Sequence, residues 1–357
     1  MSNDPTEVPP KLAPGADQTL QTLDFRLDVP LVAEQAPVML ATPTKSWFRR
    51  WRVPLILLLA SILSMTWAGL TAWSPVEILE RAWEQNSLFE VRRSVLANWI
   101  PGLIFSLSLT AILGAHELGH YLVTRAYGIR STPPLFIPFP ISPIGTCGAV
   151  ILMDGRQADR RQIFDIGIAG PLAGMVLAVP IAVAGLVFEL PLRLGSEPSY
   201  LFGQPILIQL LSDWIAPPVA IANSYLGHAA IANTDMNPLL MAAWVGMLVT
   251  GLNMIPISQL DGGHVVFGLL GRRSRIFSWC TYAACVGYVI YGAIVYKQGL
   301  FVVMLLLVSL MGVPHPPSRN DEVELGWPRQ ILGWATLLLP ILCIPLRPVT
   351  LSLPTPI

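Results

Sequence analysis

Charged side chains are scarce in this chain. Asp, Glu, Lys and Arg make up 12% of its 357 residues, whereas hydrophobic residues make up 53%. A soluble globular protein carries about twice that share of charge, so the composition argues against a soluble protein. Acidic and basic residues balance at 22 each. A chain without net positive charge offers no basic surface, which argues against nucleic acid as a partner.

The cysteines show no pairing motif, and no cleaved signal peptide is expected in the first residues. The four cysteines form no CxxC pair and lie among apolar residues, so we interpret them as packed thiols without a disulfide or metal role. The first 46 residues contain no apolar run that a signal peptidase would remove. They are polar and rich in proline, which predicts a disordered or weakly ordered tail over residues 1–46.

Charge is missing altogether from five long stretches of the chain, which are residues 53–73, 98–115, 166–188, 237–260 and 276–296. Most of them reach the roughly 20 residues that a helix needs to cross a bilayer. Residues 299–313 and 331–346 are shorter and count as further spans, and residues 201–215 leave open another membrane-dipping segment. The sequence therefore predicts an all-α polytopic membrane protein with about six or seven transmembrane helices.

Lysine and arginine predict the orientation of these spans. With seven crossings, fourteen basic residues fall on the side of the N-terminus and six on the other, although Arg92 and Arg93 disagree. The positive-inside rule then places the N-terminus in the cytoplasm. We expect a multi-pass protein of a bacterial inner membrane, with a core over residues 47–313. Residues 314–357 are predicted to be a polar linker and a last span.

Two histidines and a glutamate stand at the end of one uncharged run, in 115-AHELGHYLV-123. His116 and His120 are four positions apart on a predicted helix, so both imidazoles can reach one metal ion. Glu117 lies between them, where it could take a proton from water that the ion activates. A chance match to HExxH is the alternative, but burying three polar groups without partners would be costly.

A catalytic zinc site needs a third protein ligand. No histidine follows at HExxHxxGxxH spacing, and the next candidate is Asp261, which ends the uncharged run 237–260. An intramembrane carboxylate needs a partner, and a dication beside two imidazoles would be a suitable one. Gly262 and Gly263 would leave the backbone free to turn there. We therefore predict Asp261 as the third ligand, with zinc favoured by the ligand set.

Together these segments resemble the site-2 protease family of intramembrane zinc metalloproteases. The resemblance covers 112-ILGAHELGHYL-122, 145-GTCGAV-150, 165-DIGIAGPLAG-174 and 253-NMIPISQLDGGH-264, roughly the middle half of the chain. It implies that His116, His120 and Asp261 bind one zinc ion and that Glu117 is the catalytic base. It also implies that Asn253 positions the substrate or stabilises the oxyanion. The likeness is greatest to the compact branch without a PDZ domain, found in cyanobacteria and chloroplasts.

Residues 133–153 are apolar but rich in proline and glycine, which excludes a regular spanning helix. We interpret them as a small re-entrant β-hairpin near the active site. The edge of a strand over residues 145–150, with Gly145, Thr146 and Gly148, could bind an unwound substrate by β-augmentation. A packed surface loop is the alternative.

Two glycines with GxxxG spacing and three further histidines indicate less about function than the motifs above. Gly170 and Gly174 have GxxxG spacing, which predicts close helix packing, and with Pro171 they are expected to shape the site. His264 either supports the metal-bound carboxylate or is structural. His228 and His315 lie in loops and are expected to be solvated.

The function expected from these residues is hydrolysis of a peptide bond within or next to a substrate's transmembrane helix. The resemblance implies regulated intramembrane proteolysis of single-span membrane proteins in the lipid bilayer, after a cut by an upstream site-1 protease. A catalytically inactive scaffold or chaperone is an alternative, but it predicts a broken HExxH. An ion-coupled transporter is another, but no internal repeat supports it. The oligomeric state stays open.

Overall fold

The structure is a computed structural model, and it describes residues 47–153, 155–188, 200–215, 230–232, 236–296, 300–316 and 318–351. The tail predicted over residues 1–46 and the loop histidine His228 lie outside the described residues. The described part of the chain is mainly helical, with two small antiparallel sheets.

The described residues form eleven α-helices. In chain order they are α1 (Trp47–Leu70), α2 (Pro75–Glu84), α3 (Phe89–Ala126), α4 (Arg160–Val187), α5 (Ile206–Ile215), α6 (Pro238–Asn253), α7 (Asp261–Leu270), α8 (Ser274–Tyr296), α9 (Leu300–Met311), α10 (Trp327–Thr336) and α11 (Leu339–Cys343). Short 3-10 helices cover Gly155–Gln157 and Gly271–Arg273.

Four helical segments are long and apolar enough to cross a membrane within the part of the chain that the structure describes. They are Trp51–Leu70, Phe89–Ala126, Arg160–Val187 and Asp261–Val295, the last of which joins α7 and α8. The helices Ile206–Ile215 and Pro238–Asn253 are apolar but shorter. These spans confirm the predicted helical, integral membrane protein at the level of fold class.

Two of the predicted spans are interrupted. The run 237–260 forms α6 only as far as Asn253, after which Pro256 and a left-handed Ser258 (φ 56°) turn the chain before α7. The run 331–346 forms α10 and then α11, with Pro340 in the first turn of the second helix. Proline lacks the N–H that a continuing helix requires, so each run divides near its proline.

The main hydrophobic core lies between α1, α3, α4 and α6. Helix α6 is buried along most of its length, with Trp244 and Met247 among its fully enclosed side chains. Asp159 starts α4 with a capping box, in which its side chain accepts from the Gln162 backbone N–H and the Gln162 side chain accepts from the Asp159 N–H. This cap stops the helix from fraying at its first turn.

The predicted hairpin is present, as β1 (Leu135–Pro138) paired antiparallel with β2 (Thr146–Val150). Gly145, just before β2, lies against the backbone of Ser64 and Met65 within α1, and the Ser64 hydroxyl donates to the Gly145 carbonyl at 2.5 Å. The tip of the hairpin therefore contacts a helix that is long and apolar enough to cross a membrane.

The structure also contains a second sheet. The sequence analysis predicted the hairpin but not this sheet. Strands β3 (Tyr200–Gly203), β4 (Ala230–Ala232) and β5 (Val349–Leu351) form an antiparallel sheet in the order β4-β3-β5. Trp244 Nε1 donates to the Gly203 carbonyl at 2.7 Å and ties this sheet to α6.

Candidate metal centre

Helix α3 presents His116, Glu117 and His120, and all three side chains are buried in the interior. The two imidazole rings are one helical turn apart, with their centroids separated by 5.0 Å. The uncharged run before them carries this end of the helix within the apolar core. The HExxH spacing therefore places both Nε2 atoms on the face that α4 and α7 cover.

Asp261 reaches the same point from another helix. It is the first residue of α7, and its Oδ2 lies 3.1 Å from His116 Nε2 and 3.3 Å from His120 Nε2. These three residues offer ligand atoms within 4.8 Å of one another. The structure thus brings together the three side chains that the sequence predicts as ligands.

The hydrogen bond of His120 is compatible with a cation between these groups. His120 Nδ1 lies 2.8 Å from the Ile166 carbonyl, which can only accept, so Nδ1 carries the proton. The Nε2 of a neutral imidazole then has a lone pair that faces a carboxylate oxygen of Asp261. Two acceptors 3.3 Å apart repel each other unless a cation or a proton lies between them.

The spacing of the ligand atoms fits zinc. Tetrahedral zinc bonds to nitrogen and oxygen at about 2.0–2.1 Å, which places neighbouring ligand atoms roughly 3.3 Å apart. The observed separations from Asp261 are 3.1 and 3.3 Å. His116 Nδ1 is buried without a hydrogen-bond partner among the described residues. No backbone carbonyl there orients the His116 ring in the way that the Ile166 carbonyl orients His120.

Glycines of α4 leave room for the two imidazoles. A Cβ added at Gly170 would lie 2.0 Å from His120 Nε2, and one at Gly174 would lie 3.2 Å from His116 Nδ1. Pro171, between them, is buried in the same helix. A larger residue at position 170 would occupy the space of the His120 ring. The GxxxG spacing here serves the approach of imidazoles as well as of helix backbones.

Gly262 and Gly263 have a different physical role from the one that we predicted. They are helical residues at the start of α7 and do not form a chain reversal, and neither has a positive φ. A Cβ at Gly262 would lie 2.0 Å from the Met254 carbonyl oxygen, and one at Gly263 would lie 2.2 Å from that of Ser258. They let the preceding loop fold back against the helix that starts with Asp261.

The three residues predicted to bind substrate lie at the start of the second hairpin strand, with Gly145 directly before β2 and Thr146 and Gly148 within it. Gly145 and Gly148 have φ of 81° and 98°, a region that favours glycine. The Thr146 hydroxyl donates to the Ile137 carbonyl at 2.8 Å and accepts from the Gly148 N–H at 3.0 Å. Strand β2 pairs only with β1 among the described residues, so its other edge has no strand beside it there.

The side chains of Asn253 and Glu117 make no hydrogen bond to another described residue. Asn253 is the last residue of α6 and is half-buried. Glu117 is buried beside the ligand trio and is 6% exposed. Both therefore retain side-chain oxygens that can interact with a substrate or with water.

His264 and His315 contact each other. His264 Nδ1 lies 2.7 Å from His315 Nε2, and the His315 ring stacks on Phe267 with centroids 4.2 Å apart. The expectation that His315 is solvated is therefore wrong. No hydrogen bond joins His264 to Asp261 in the described structure, so His264 does not hold that carboxylate directly.

An ion pair that the sequence reasoning missed lies close to these residues. Arg329 of α10 donates to both carboxylate oxygens of Asp165, from Nε at 2.7 Å and from Nη2 at 2.9 Å. The Tyr127 hydroxyl donates to the same carboxylate at 2.5 Å. Asp165 precedes Ile166, whose carbonyl orients His120. Asp165 stands directly before an uncharged run, which was the signal that could have revealed it.

Comparison with known proteins gives chloroplast relatives. "Probable zinc metalloprotease EGY1, chloroplastic" of Arabidopsis thaliana is 28% identical over 315 residues, which are 85% of this chain and 54% of that protein. The protein of the same name from Oryza sativa subsp. japonica is 30% identical over 65% of this chain and 38% of its own length. "Probable zinc metalloprotease EGY2, chloroplastic" of Arabidopsis thaliana is 33% identical over 50% of this chain and 30% of its own length.

The chain thus spans about half or less of the length of these relatives. No solved structure matches it significantly. The family described as "Peptidase family M50" matches residues 104–294, which are more than half of the chain and contain the ligand trio and Glu117. The resemblance to site-2 proteases, and to their compact chloroplast-type branch, is confirmed. The chain belongs to peptidase family M50.

Proposed function

We propose that this protein is an intramembrane zinc metalloprotease of the site-2 type. The observation that carries the proposal is the meeting of His116, His120 and Asp261 from two helices, with Glu117 beside them in the apolar core. The names of the chloroplast relatives, which include "zinc metalloprotease", support zinc as the ion. The burial of this site among apolar helices supports hydrolysis of a peptide bond within or next to a transmembrane helix.

The residues around the site have distinct roles in this proposal. Zinc, when bound by the trio, supplies a Lewis acid that activates water and polarises a carbonyl. Glu117 accepts the proton of the attacking water and returns it to the leaving amine. Asn253 donates from its side-chain amide to the oxygen that develops negative charge. The Ile166 carbonyl keeps His120 in the required tautomer.

The hairpin supplies a surface on which a substrate can lie extended. A transmembrane helix has its backbone amides already paired, so the segment to be cut must unwind first. The edge of β2, near Gly145, Thr146 and Gly148, would replace some of the lost hydrogen bonds. Glycine or proline in the substrate helix should aid cleavage, since both disfavour helix.

Single-span membrane proteins are the proposed substrates, cut after an upstream protease of the site-1 type has trimmed them, as in regulated intramembrane proteolysis. The lysine and arginine distribution supports a cytoplasmic N-terminus. In this proposal the protein has six or seven crossings of the lipid bilayer of a bacterial inner membrane.

The experiment compares the wild type with Glu117→Gln, both purified in detergent. Glu117→Gln keeps the three ligands, so it should bind zinc at the wild-type stoichiometry. Its cleavage of a panel of single-span substrates should fall by about 10²–10⁴-fold, the usual contribution of a general base.

The matched control is Asp261→Asn, which should lose both zinc and cleavage. Equal cleavage by wild type and Glu117→Gln would rule out the role of Glu117. Absence of zinc from the wild type would rule out the metalloprotease. Zinc without cleavage of any substrate would favour an inactive scaffold.

A further inference from the structure

The short segment Val313–His315, which follows α9, holds the chain on both sides of Asp261. The Val313 carbonyl accepts from the Ser258 backbone N–H at 2.9 Å. His315 Nε2 lies 2.7 Å from His264 Nδ1. Ser258 is three residues before Asp261 and His264 is three residues after it, so two contacts from one segment bracket the ligand.

The direction of the histidine contact follows from its neighbours. His315 Nδ1 lies 2.5 Å from the Pro316 carbonyl, which can only accept, so in the neutral ring Nδ1 carries the proton. His315 Nε2 is then an acceptor, and His264 Nδ1–H is its donor. Burial lowers the pKa of His315 to about 4, which keeps the ring neutral at ordinary pH.

Packing supports the same two contacts. The His315 ring lies nearly parallel to Phe267, at an angle of 10°. Val313 is 5% exposed and packs with Ile257 and Val308. The stacking on Phe267 thus supports the hydrogen bond between His315 and His264. The packing of Val313 against Ile257 likewise supports the hydrogen bond between Val313 and Ser258.

Ser258 needs such support because its backbone is unfavourable. Its φ of 56° lies in the left-handed region, which is unfavourable for a residue other than glycine. Gly263 approaches the Ser258 carbonyl so closely that no Cβ would fit. The turn thus fixes where α7 begins, and the bond to Val313 holds the turn.

We propose that Val313–His315 is a clamp that positions Asp261 for the metal ion, with His315 as a positioning residue that acts through His264. The inference rests on the proposed zinc site and goes beyond it, since His315 belongs to no motif of that site. Metal sites tolerate ligand displacements of about 0.2 Å. Residues that orient the ligands change metal affinity by about 10–100-fold when they are altered.

The test measures zinc affinity of the full-length chain in detergent, by competition with a chelator. His315→Phe keeps a ring to stack on Phe267 but removes the acceptor for His264, and should raise the Kd for zinc by about tenfold. His315→Gln keeps an acceptor and should stay within about threefold of the wild type. The Co²⁺-substituted His315→Phe protein should show an altered visible spectrum, which reports ligand geometry.

The control is Ser94→Ala, which removes a buried hydrogen bond to the Leu70 carbonyl at the other end of α3. It should leave the Kd for zinc unchanged. If His315→Phe does not fold, His315→Asn replaces it, because its shorter side chain falls short of His264 and the same tenfold change is expected.

The outcomes separate the clamp from the zinc site. A lower unfolding temperature of metal-free His315→Phe with unchanged Kd and Co²⁺ spectrum would mean that the contact is only structural, and would overturn the clamp. That result would not affect the proposed metalloprotease, provided that the wild type binds zinc and His116→Ala does not. No zinc binding by the wild type would overturn both proposals.

Discussion

Replacing Gly170 with alanine tests how closely α4 fits the metal site. The added Cβ would lie 2.0 Å from Nε2, 2.4 Å from Cδ2 and 2.5 Å from Cε1 of His120. Real Cβ contacts essentially never fall below 3.0 Å, so the ring or the helix must move by at least 3.0 − 2.0 = 1.0 Å. The contact is to the proposed metal ligand His120, whose Nδ1 is held by the Ile166 carbonyl, which leaves the ring little freedom to rotate.

A shift of this size exceeds what zinc coordination tolerates, which is about 0.2 Å. We expect Gly170→Ala to weaken zinc binding and to lower cleavage by about 10²-fold or more, the loss that a misplacement of 1 Å can produce. Helix propensity acts in the opposite direction, because alanine is favoured over glycine in a helix by about 1 kcal/mol. A loss of zinc would therefore not reflect a weaker helix.

Gly114→Ala is the matched control, since it makes the same change in α3 close to the site. The nearest atom to its added Cβ is Phe136 Cζ at 3.9 Å, an ordinary contact. Zinc content is measured on the purified proteins, and cleavage on a single-span substrate. Full zinc and wild-type cleavage in Gly170→Ala would refute the fit of His120 against α4.

Three further results are expected. Arg329→Gln should lower the free energy of unfolding by about 1 kcal/mol, a modest value because the Arg329 side chain is 38% exposed, and thermal denaturation checks it. Chelation of zinc should lower the unfolding temperature, and added zinc should restore it, because an ion that binds only the folded state stabilises it. The pKa of His315, lowered by burial to about 4, makes its contribution to stability complete above pH 6.5 and progressively lost as the pH falls towards 4. His315→Gln should therefore have a shallower loss of stability between pH 6.5 and 4, and an unchanged slope would contradict the buried, neutral ring.

The meeting of His116, His120 and Asp261 was predictable because these residues break a strong pattern. His116 and Asp261 each stand at the end of an uncharged run, and polar groups at such places need a partner. The glycines near Asp261 were predictable as a feature but not in their physical role. Whether a glycine makes a turn or permits a close approach depends on the neighbouring backbone, which the sequence alone does not reveal.

The clamp and the second sheet were not predictable, for two different reasons. His315 lies in 314-PHPPSRND-321, whose prolines and polar residues are typical of a solvated loop. Its partner His264 is 51 positions away. The strands Tyr200–Gly203 and Val349–Leu351 are three or four residues long, too short for their alternation to indicate a strand. In both cases the decisive contact joins segments that are remote in sequence.

Strand β5 also bears on the order in which the protein can mature. Leu351 pairs with Tyr200, about 150 residues earlier in the chain, and β5 is the last described element. Such a distant pairing forms late, because the long loop must close before any contact is gained. Ribosomes deliver this segment after α3, α4 and α7, so a nascent chain contains His116, His120 and Asp261 before this sheet can close. Closing of the sheet would therefore be a late step of folding, and a chain stalled before that step would expose apolar surface that chaperones bind.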